Sequence, residues 1–80
     1  MAILIEIQQT GSDGVSARYE YWLDHKQPGI ISYDKTTGEF ALVKESEGET
    51  GMVIFARALG KLQKTLRDTG ELPEKLTYAA

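Results

Sequence analysis

The chain has 80 residues, no cysteine and a formal net charge of −3. The absence of cysteine excludes a disulfide framework, a thiolate nucleophile and a thiolate metal site. A chain of this length has room for one small core, so we expect a single α+β domain over residues 1–80. No basic region precedes the apolar N-terminal run, and no segment reaches the roughly 18 apolar residues of a membrane span, so we expect a soluble, cytoplasmic protein with no membrane contact.

The first two predicted strands show the alternation of apolar and polar side chains that is typical of β-structure. They cover residues 2–9 and 15–23, with turn residues at 10–14 between them, so we expect an antiparallel hairpin. Pro28 and Gly29 then break the pattern and favour the centre of a type II turn. The inward side chains are Ile3, Ile5 and Ile7 in the first strand, and Val15, Ala17, Tyr19, Tyr21 and Leu23 in the second.

A second hairpin is predicted from strands at residues 30–33 and 40–43. In its loop Asp34 can accept backbone hydrogen bonds and Gly38 can adopt a positive φ. If Asp34 faces Glu39, four apolar side chains share one face, and we assign that face to the helix. These side chains are Ile31, Tyr33, Phe40 and Leu42.

One helix is predicted, over residues 51–69, because four large apolar side chains recur there at spacings of 4, 3 and 4. On an α-helix this spacing places them in a single apolar stripe, which we expect to face the sheet. The stripe consists of Phe55, Leu59, Leu62 and Leu66, and Met52 extends it.

The residues at the two ends of this helix are suited to capping. Thr50 can accept a backbone hydrogen bond at the N-terminus, Gly70 suits a left-handed conformation after the last turn, and Pro73 prevents the helix from continuing. Ala56 and Gly60 are small and lie one turn apart, so we expect the helix to approach a strand closely there. A helix–helix contact through the same residues is the alternative.

Residues 44–49 are polar and acidic and form the predicted loop into the helix. Residues 76–78 either add a short edge strand or pack under the helix end. The predicted fold is therefore α+β: a four-stranded antiparallel meander followed by one C-terminal helix packed on one sheet face (ββββα), with a short fifth strand as an option at the C-terminus.

No residue pattern in the chain is typical of a catalytic, cofactor-binding or metal site. His25 lies beside Asp24, but adjacent side chains on an extended chain point apart and no nucleophile accompanies the pair, so we interpret it as a solvated turn histidine. The acidic loop lacks the ligand spacing of a calcium loop, and Gly11 and Gly14 belong to turns rather than to a phosphate-binding motif. We therefore expect a non-enzymatic protein with no cofactor.

The sheet face turned away from the helix is predicted to carry a large aromatic side chain among apolar neighbours, as binding surfaces do. The alternative is that the C-terminal tail folds across this face, with Leu76 and Tyr78 covering it. The predicted partner-binding residues are Trp22, Arg18, Glu20, Ile30 and Val43, with Ala41 beside them.

The predicted helix is basic, whereas the rest of the chain is acidic. Arg57, Lys61 and Lys64 lie opposite the apolar stripe, so we expect them on the exposed back of the helix. A charge run of this kind is most often a solvated face. Nucleic-acid binding is the alternative, and it requires an affinity that falls steeply with salt.

Two functions agree with these patterns. The first is a protein-interaction module of the inhibitor, immunity or adaptor type, which binds a foreign partner or a second copy through the outer sheet face and the acidic loop. The second is a single-stranded nucleic-acid-binding domain in which Trp22, Tyr19 and Tyr21 stack with bases. A strand-binding protein needs a basic sheet surface, and this sheet is predicted to be acidic, so we favour the protein partner.

Overall fold

The structure of the protein, a computed structural model, describes residues 4–23, 27–47 and 52–79. The strands form one antiparallel sheet in the order β4-β3-β2-β1-β5. This arrangement confirms the predicted α+β fold, including its short fifth strand. The elements in chain order are β1 (Leu4–Ser12), β2 (Ser16–Leu23), β3 (Gly29–Asp34), β4 (Glu39–Lys44), α1 (Val53–Thr69) and β5 (Lys75–Ala79).

The β3–β4 hairpin has the predicted register from Ile31 to Asp34, and a register shift before Ile31 places Lys44 opposite Ile30. Tyr33 lies opposite Phe40, and their ring centroids are 4.5 Å apart. The Asp34 carboxylate accepts a hydrogen bond from the backbone N–H of Thr36 at 2.8 Å. Gly38 adopts a φ of 78°. Both loop features were expected from the residue types, so the loop chemistry specifies how these two strands pair.

The β1–β2 hairpin is longer than the alternation predicts. β1 continues to Ser12, since the two strands resume pairing after a register shift between Gln9 and Gly11. The Asp13 carboxylate closes the turn by accepting a hydrogen bond from the backbone N–H of Val15 at 2.7 Å. Val15 therefore belongs to the turn and is 60% exposed, so its predicted inward position is wrong.

Pro28 and Gly29 do not form the predicted type II turn. Such a turn needs a positive φ at its glycine, and among the described glycines Gly38 and Gly70 have one. Gly29 is instead the first residue of β3 and lies opposite Tyr21. A Cβ at this position would lie 2.4 Å from Cε1 of the Tyr21 ring, so the glycine leaves room for that ring.

The core lies between α1 and the inward face of the sheet. Apart from Val15, the predicted inward residues of the first two strands lie in the core or against it, and Ile3 lies outside the described residues. Ile5, Ile7, Ala17, Tyr19 and Tyr21 are buried, and Leu23 is half-buried. The buried side chains are Ile5, Ile7, Ala17, Tyr19, Tyr21 and Ile31 from the sheet, and Ile54, Ala58 and Leu62 from α1.

The buried stripe of α1 differs from the predicted one. Leu62 belongs to both, but Ile54 and Ala58 hold the other central positions. The short side chain of Ala58 allows the helix axis to approach the sheet there. The remaining residues of the predicted stripe are half-buried or, for the last, exposed: Phe55, Leu59, Leu66 and Met52.

The helix begins at Val53 and its C-terminal cap is the predicted one. Gly70 adopts a left-handed φ of 75°, and its backbone N–H donates to the carbonyl oxygen of Leu66 at 2.7 Å. At the other end Met52 occupies the N-cap position with a φ of 62° and makes no side-chain capping hydrogen bond. The predicted cap, Thr50, lies outside the described residues.

α1 packs mainly on β5, β1 and β2, which places it over one half of the sheet. The face of β3 and β4 that was assigned to the helix is therefore incompletely covered, and Tyr33, Phe40 and Leu42 are half-buried there. The close approach expected at Ala56 and Gly60 is also wrong. Both residues are exposed, and a Cβ on Gly60 would meet nothing within 4 Å.

Three hydrogen bonds fix the segment that joins α1 to β5. The Tyr19 hydroxyl donates to the carbonyl oxygen of Pro73 at 2.7 Å, and it accepts a hydrogen bond from Nε2 of Gln9 at 3.2 Å. The backbone N–H of Gln9 donates to the carbonyl oxygen of Glu74 at 2.8 Å. Burial raises the pKa of the Tyr19 phenol above its ordinary value. The neutral hydroxyl is therefore available as both donor and acceptor across the physiological range.

Candidate protein interface

The side of the sheet opposite α1 is not covered by any element in the described part of the chain. Strand residues alternate between the two sides, so the residues between the buried core positions point to this side. We call this surface the outer face. Around Trp22 it is formed by Leu4, Glu6, Gln8, Arg18, Glu20, Trp22, Ile30, Ser32, Ala41 and Val43. Thr77 and Lys75 of β5 lie opposite Glu6 and Gln8, and Lys44 of β4 lies opposite Ile30.

The structure places all five predicted partner-binding residues on the outer face. Trp22, Glu20 and Ile30 are half-buried, whereas Arg18 and Val43 are exposed. Ile30 lies opposite Glu20 and therefore diagonal to Trp22, within reach of a large aromatic ring. Val43 lies on β4, two strands from β2, so it is about 10 Å or more away and contributes to the rim of the surface.

The pairing of β1 with β2 brings two further residues beside Trp22. Glu6 lies directly opposite Trp22, and Leu4 lies diagonal to it with 48% of its surface exposed. The alternation in the sequence already placed both residues on the outward side. Their position beside Trp22 depends on the β1–β2 register, and the shift between Gln9 and Gly11 that accompanies this register is not signalled by residue type.

The C-terminal tail does not cover the outer face, which was the alternative prediction. It forms β5 at the edge of the sheet, where Leu76 lies opposite Ile7 and Tyr78 lies opposite Ile5. Because Ile5 and Ile7 point toward the helix, Leu76 and Tyr78 point there too, and they pack against the core.

The carboxylates beside Trp22 have no ion-pair partner within the described ranges. There, the ion pairs join Asp68 to Lys64 at 3.0 Å and to Arg67 at 3.8 Å, both at the end of α1. Glu6 and Glu20 are half-buried. The area around Trp22 therefore combines an aromatic ring with two carboxylates that form no ion pair within the described residues, which favours a positively charged ligand surface.

The described part of the acidic loop is fixed on the other side of the sheet. The backbone N–H of Ser46 donates to the Tyr21 hydroxyl at 3.4 Å, and Ser46 is buried. The backbone N–H of Glu47 donates to the carbonyl oxygen of Gln27 at 2.9 Å. The loop and the outer face are therefore separate surfaces, and we restrict the candidate interface to the outer face. Residues 48–49 of the loop lie outside the described residues.

The residues considered for catalysis, metal binding and base stacking lie in different parts of the chain. His25 and Asp24 lie outside the described residues. Within those residues, no group of three or more histidine and carboxylate side chains is placed to hold a metal ion. Tyr19 and Tyr21 are fully buried beneath α1, so neither can stack with a base.

Comparison of the chain with protein-family models, with curated proteins and with solved structures found no match. In the described part of the chain, no helix is both long enough and apolar enough to cross a membrane. The surfaces of the chain are therefore the basis on which its function is inferred.

Proposed function

We propose that the protein is a non-enzymatic protein-interaction module, of the inhibitor, immunity or adaptor type, that binds another protein through the outer face. The observation that supports this proposal is the position of Trp22 on an uncovered sheet surface, between Leu4 and Ile30. A tryptophan contributes a large apolar area and one hydrogen-bond donor, and residues of this type dominate the binding energy of protein interfaces.

The carboxylates beside Trp22 favour a foreign partner over a second copy. Glu6 and Glu20 flank Trp22, so a partner that presents lysine or arginine around an apolar pocket would complement it. Two copies joined through this face by a two-fold axis near Trp22 would bring four carboxylates together. Like charges at close range oppose association, so the homodimer is the weaker form of the proposal.

Single-stranded nucleic acid is the weaker alternative for the same surface. Of the three aromatic residues considered for stacking, Trp22 remains, because Tyr19 and Tyr21 are buried. The carboxylates beside Trp22 would repel a phosphate backbone, whose attraction to basic residues supplies most of the affinity in such complexes.

Affinity capture from native cell extract tests the proposal with a set of matched variants. We expect the wild-type protein and Lys61→Glu, whose change lies on the helix, to retain the same partner. Trp22→Ala should lose it, and Glu6→Lys should weaken it by reversing a charge beside the ring. Circular dichroism melting of each variant shows whether the fold is intact.

A purified partner allows the effect of Trp22→Ala to be measured by titration calorimetry. A central aromatic anchor is worth about 2 kcal/mol or more, so the Kd should rise by roughly 30-fold or more. A partner that is retained equally by the wild type, Trp22→Ala and Glu6→Lys would contradict the outer face as the binding site.

A further inference from the structure

A cleft of about 430 Å³ lies on the helix side of the sheet, between α1 and the edge strand β5. Its lining includes the small residues Ala56 and Gly60, and a Cβ on Gly60 would meet nothing within 4 Å. The small methyl group of Ala56 and the absence of a side chain at Gly60 keep the helix surface open beside the strand. The space can therefore receive a side chain or a segment of chain from outside.

The walls of this cleft are basic. Arg57, Lys61 and Lys64 contribute to its lining, together with Tyr78, and no carboxylate does so. Lys64 is paired with Asp68 at 3.0 Å, but both groups are largely exposed, so the pair is weak and easily exchanged. Within the described residues, Arg57 and Lys61 have no carboxylate at ion-pair distance.

Arg57 is held at the base of the cleft with unused hydrogen-bonding capacity. Its Nη1 donates to the Tyr78 hydroxyl at 3.0 Å, and its guanidinium carbon lies 6.0 Å from the centre of the Tyr78 ring. Its Nε is buried and has no hydrogen-bond partner. A buried donor without an acceptor is unfavourable, and an oxygen ligand that reached it would relieve this cost.

The strand beside the cleft has a free edge. β5 is the last strand in the sheet order, and in the described part of the chain it pairs with β1 alone. Its other edge presents backbone N–H and C=O groups that can pair with an added strand. A strand added there would run along the cleft, with every second side chain directed toward α1.

We propose that the cleft and the free edge of β5 bind an extended acidic segment of another protein. The segment pairs with β5 as a sixth strand and directs its carboxylates toward Arg57 and Lys61. A second copy of this chain is a poorer occupant, because pairing two β5 edges about a two-fold axis would bring the basic residues of both helices together. The proposal is independent of the function proposed for the outer face.

Titration of the ¹⁵N-labelled protein with an octapeptide of alternating glutamate and valine, followed by NMR, tests the charge requirement. We expect the amide shifts of Lys75–Ala79 and of α1 around Lys61 to change, and the affinity to fall as salt is added. An octapeptide of alternating lysine and valine should not bind. Absence of binding by the acidic peptide at low salt would overturn the proposal.

Lys61→Glu, in α1, and Lys44→Glu, on the edge strand away from the cleft, make the same change in net charge. Lys61→Glu should raise the Kd of the acidic peptide by about tenfold, as expected for reversal of one nearby charge. Lys44→Glu, on β4, and Trp22→Ala, on the outer face, should leave it unchanged. Equal weakening by Lys61→Glu and Lys44→Glu would show binding to net charge and overturn the site.

Two versions of the acidic peptide, N-methylated at alternate residues in opposite frames, test strand addition. One frame should abolish binding, because it removes the N–H groups directed at β5, and the other should bind as the parent does. Equal binding of both frames would show that no backbone pairing occurs. If both frames bind equally and an oligothymidylate of equal charge displaces the peptide, the cleft is a general polyanion site instead.

Discussion

Two glycines in the structure are expected to respond in opposite ways to the same substitution. Gly29 lies under the Tyr21 ring, and an added Cβ would be 2.4 Å from Cε1. Gly29→Ala should therefore force the ring or the strand to move, at a cost of about 1–3 kcal/mol in the free energy of unfolding. Gly60→Ala adds its methyl group into open space within α1, and should stabilise by up to about 1 kcal/mol.

Thermal melting of the two alanine variants beside the wild type checks this pair. For a domain of this size each 1 kcal/mol corresponds to roughly 4–8 °C in Tm, so the changes should be resolved and opposite in sign. A Tm for Gly29→Ala equal to that of the wild type would show that the Tyr21 ring does not occupy the space above the glycine.

The carboxylate of Asp34 makes the stability of the β3–β4 loop depend on pH. Hydrogen bonds from the side chain and then the backbone of Thr36 hold its pKa below the ordinary value of 3.8. The folded state therefore favours the ionised form. This contribution to stability is complete above the unfolded pKa and is lost as the pH falls through the lower, folded value.

Asp34→Ala should therefore lower the Tm at pH 7, and the difference from the wild type should shrink as the pH falls below 3.8, the ordinary aspartate value. Melting curves measured from pH 7 down to about pH 2 follow this difference. Glu39→Ala, at the facing position of the same hairpin, serves as the control for a change in net charge. A difference that stays constant over this range would contradict the role of the ionised carboxylate.

At the scale of elements, the packing of α1 makes the cost of each truncation depend on its position around the helix. Leu62 is fully buried, whereas Leu59 is half-buried at the edge of the contact. Leu62→Ala should cost about 2–5 kcal/mol, and Leu59→Ala distinctly less. Urea unfolding of both variants measures the two values. Equal losses would indicate that the helix is rotated so that Leu59 is buried as deeply as Leu62.

The rotation of α1 is the main feature that the sequence pattern did not predict. The large apolar residues and the residues that are buried form stripes whose centres differ by about 70° around the helix. The spacing of large apolar side chains in the sequence predicts the stripe of large residues. The helix packs along the second, because Ala58 permits close approach while bulkier Leu59 covers the margin of the contact.

The register of the β3–β4 hairpin could be predicted because residues in its own loop determine it. Asp34 and Gly38 each favour a particular loop conformation, and that conformation determines which residues face each other. In the β1–β2 hairpin the register includes an irregularity after Gln9 that has no such signature. The alternation in the sequence placed Trp22, Leu4 and Glu6 on the outward side, whereas the position of Leu4 and Glu6 beside Trp22 follows only from the β1–β2 register.

At the scale of the whole molecule, both exposed surfaces disfavour self-association. Contact through the outer face brings Glu6 and Glu20 of two copies together, and contact through β5 brings together the basic residues of two helices. We therefore expect the mass of one chain in sedimentation equilibrium at moderate salt. A mass that approaches two chains as concentration rises would contradict this expectation and favour the homodimer.

The sheet order also has a consequence for the path by which the protein folds. Three of the four strand pairings among the described residues join neighbours in sequence, but β1 and β5 pair across about 70 intervening residues. Closing so large a loop is slow, so β5 should dock late and should be among the first strands to detach. Native-state hydrogen exchange should show amides of β5 opening at lower free energy than those of β2.

Detachment of β5 would uncover Ile5 and Ile7 and remove one wall of the basic cleft at the same time. The cleft therefore exists only in the fully docked state, and any ligand it holds must shift the equilibrium toward that state. Binding in the cleft and protection of the β1–β5 pairing from opening are then one coupled equilibrium.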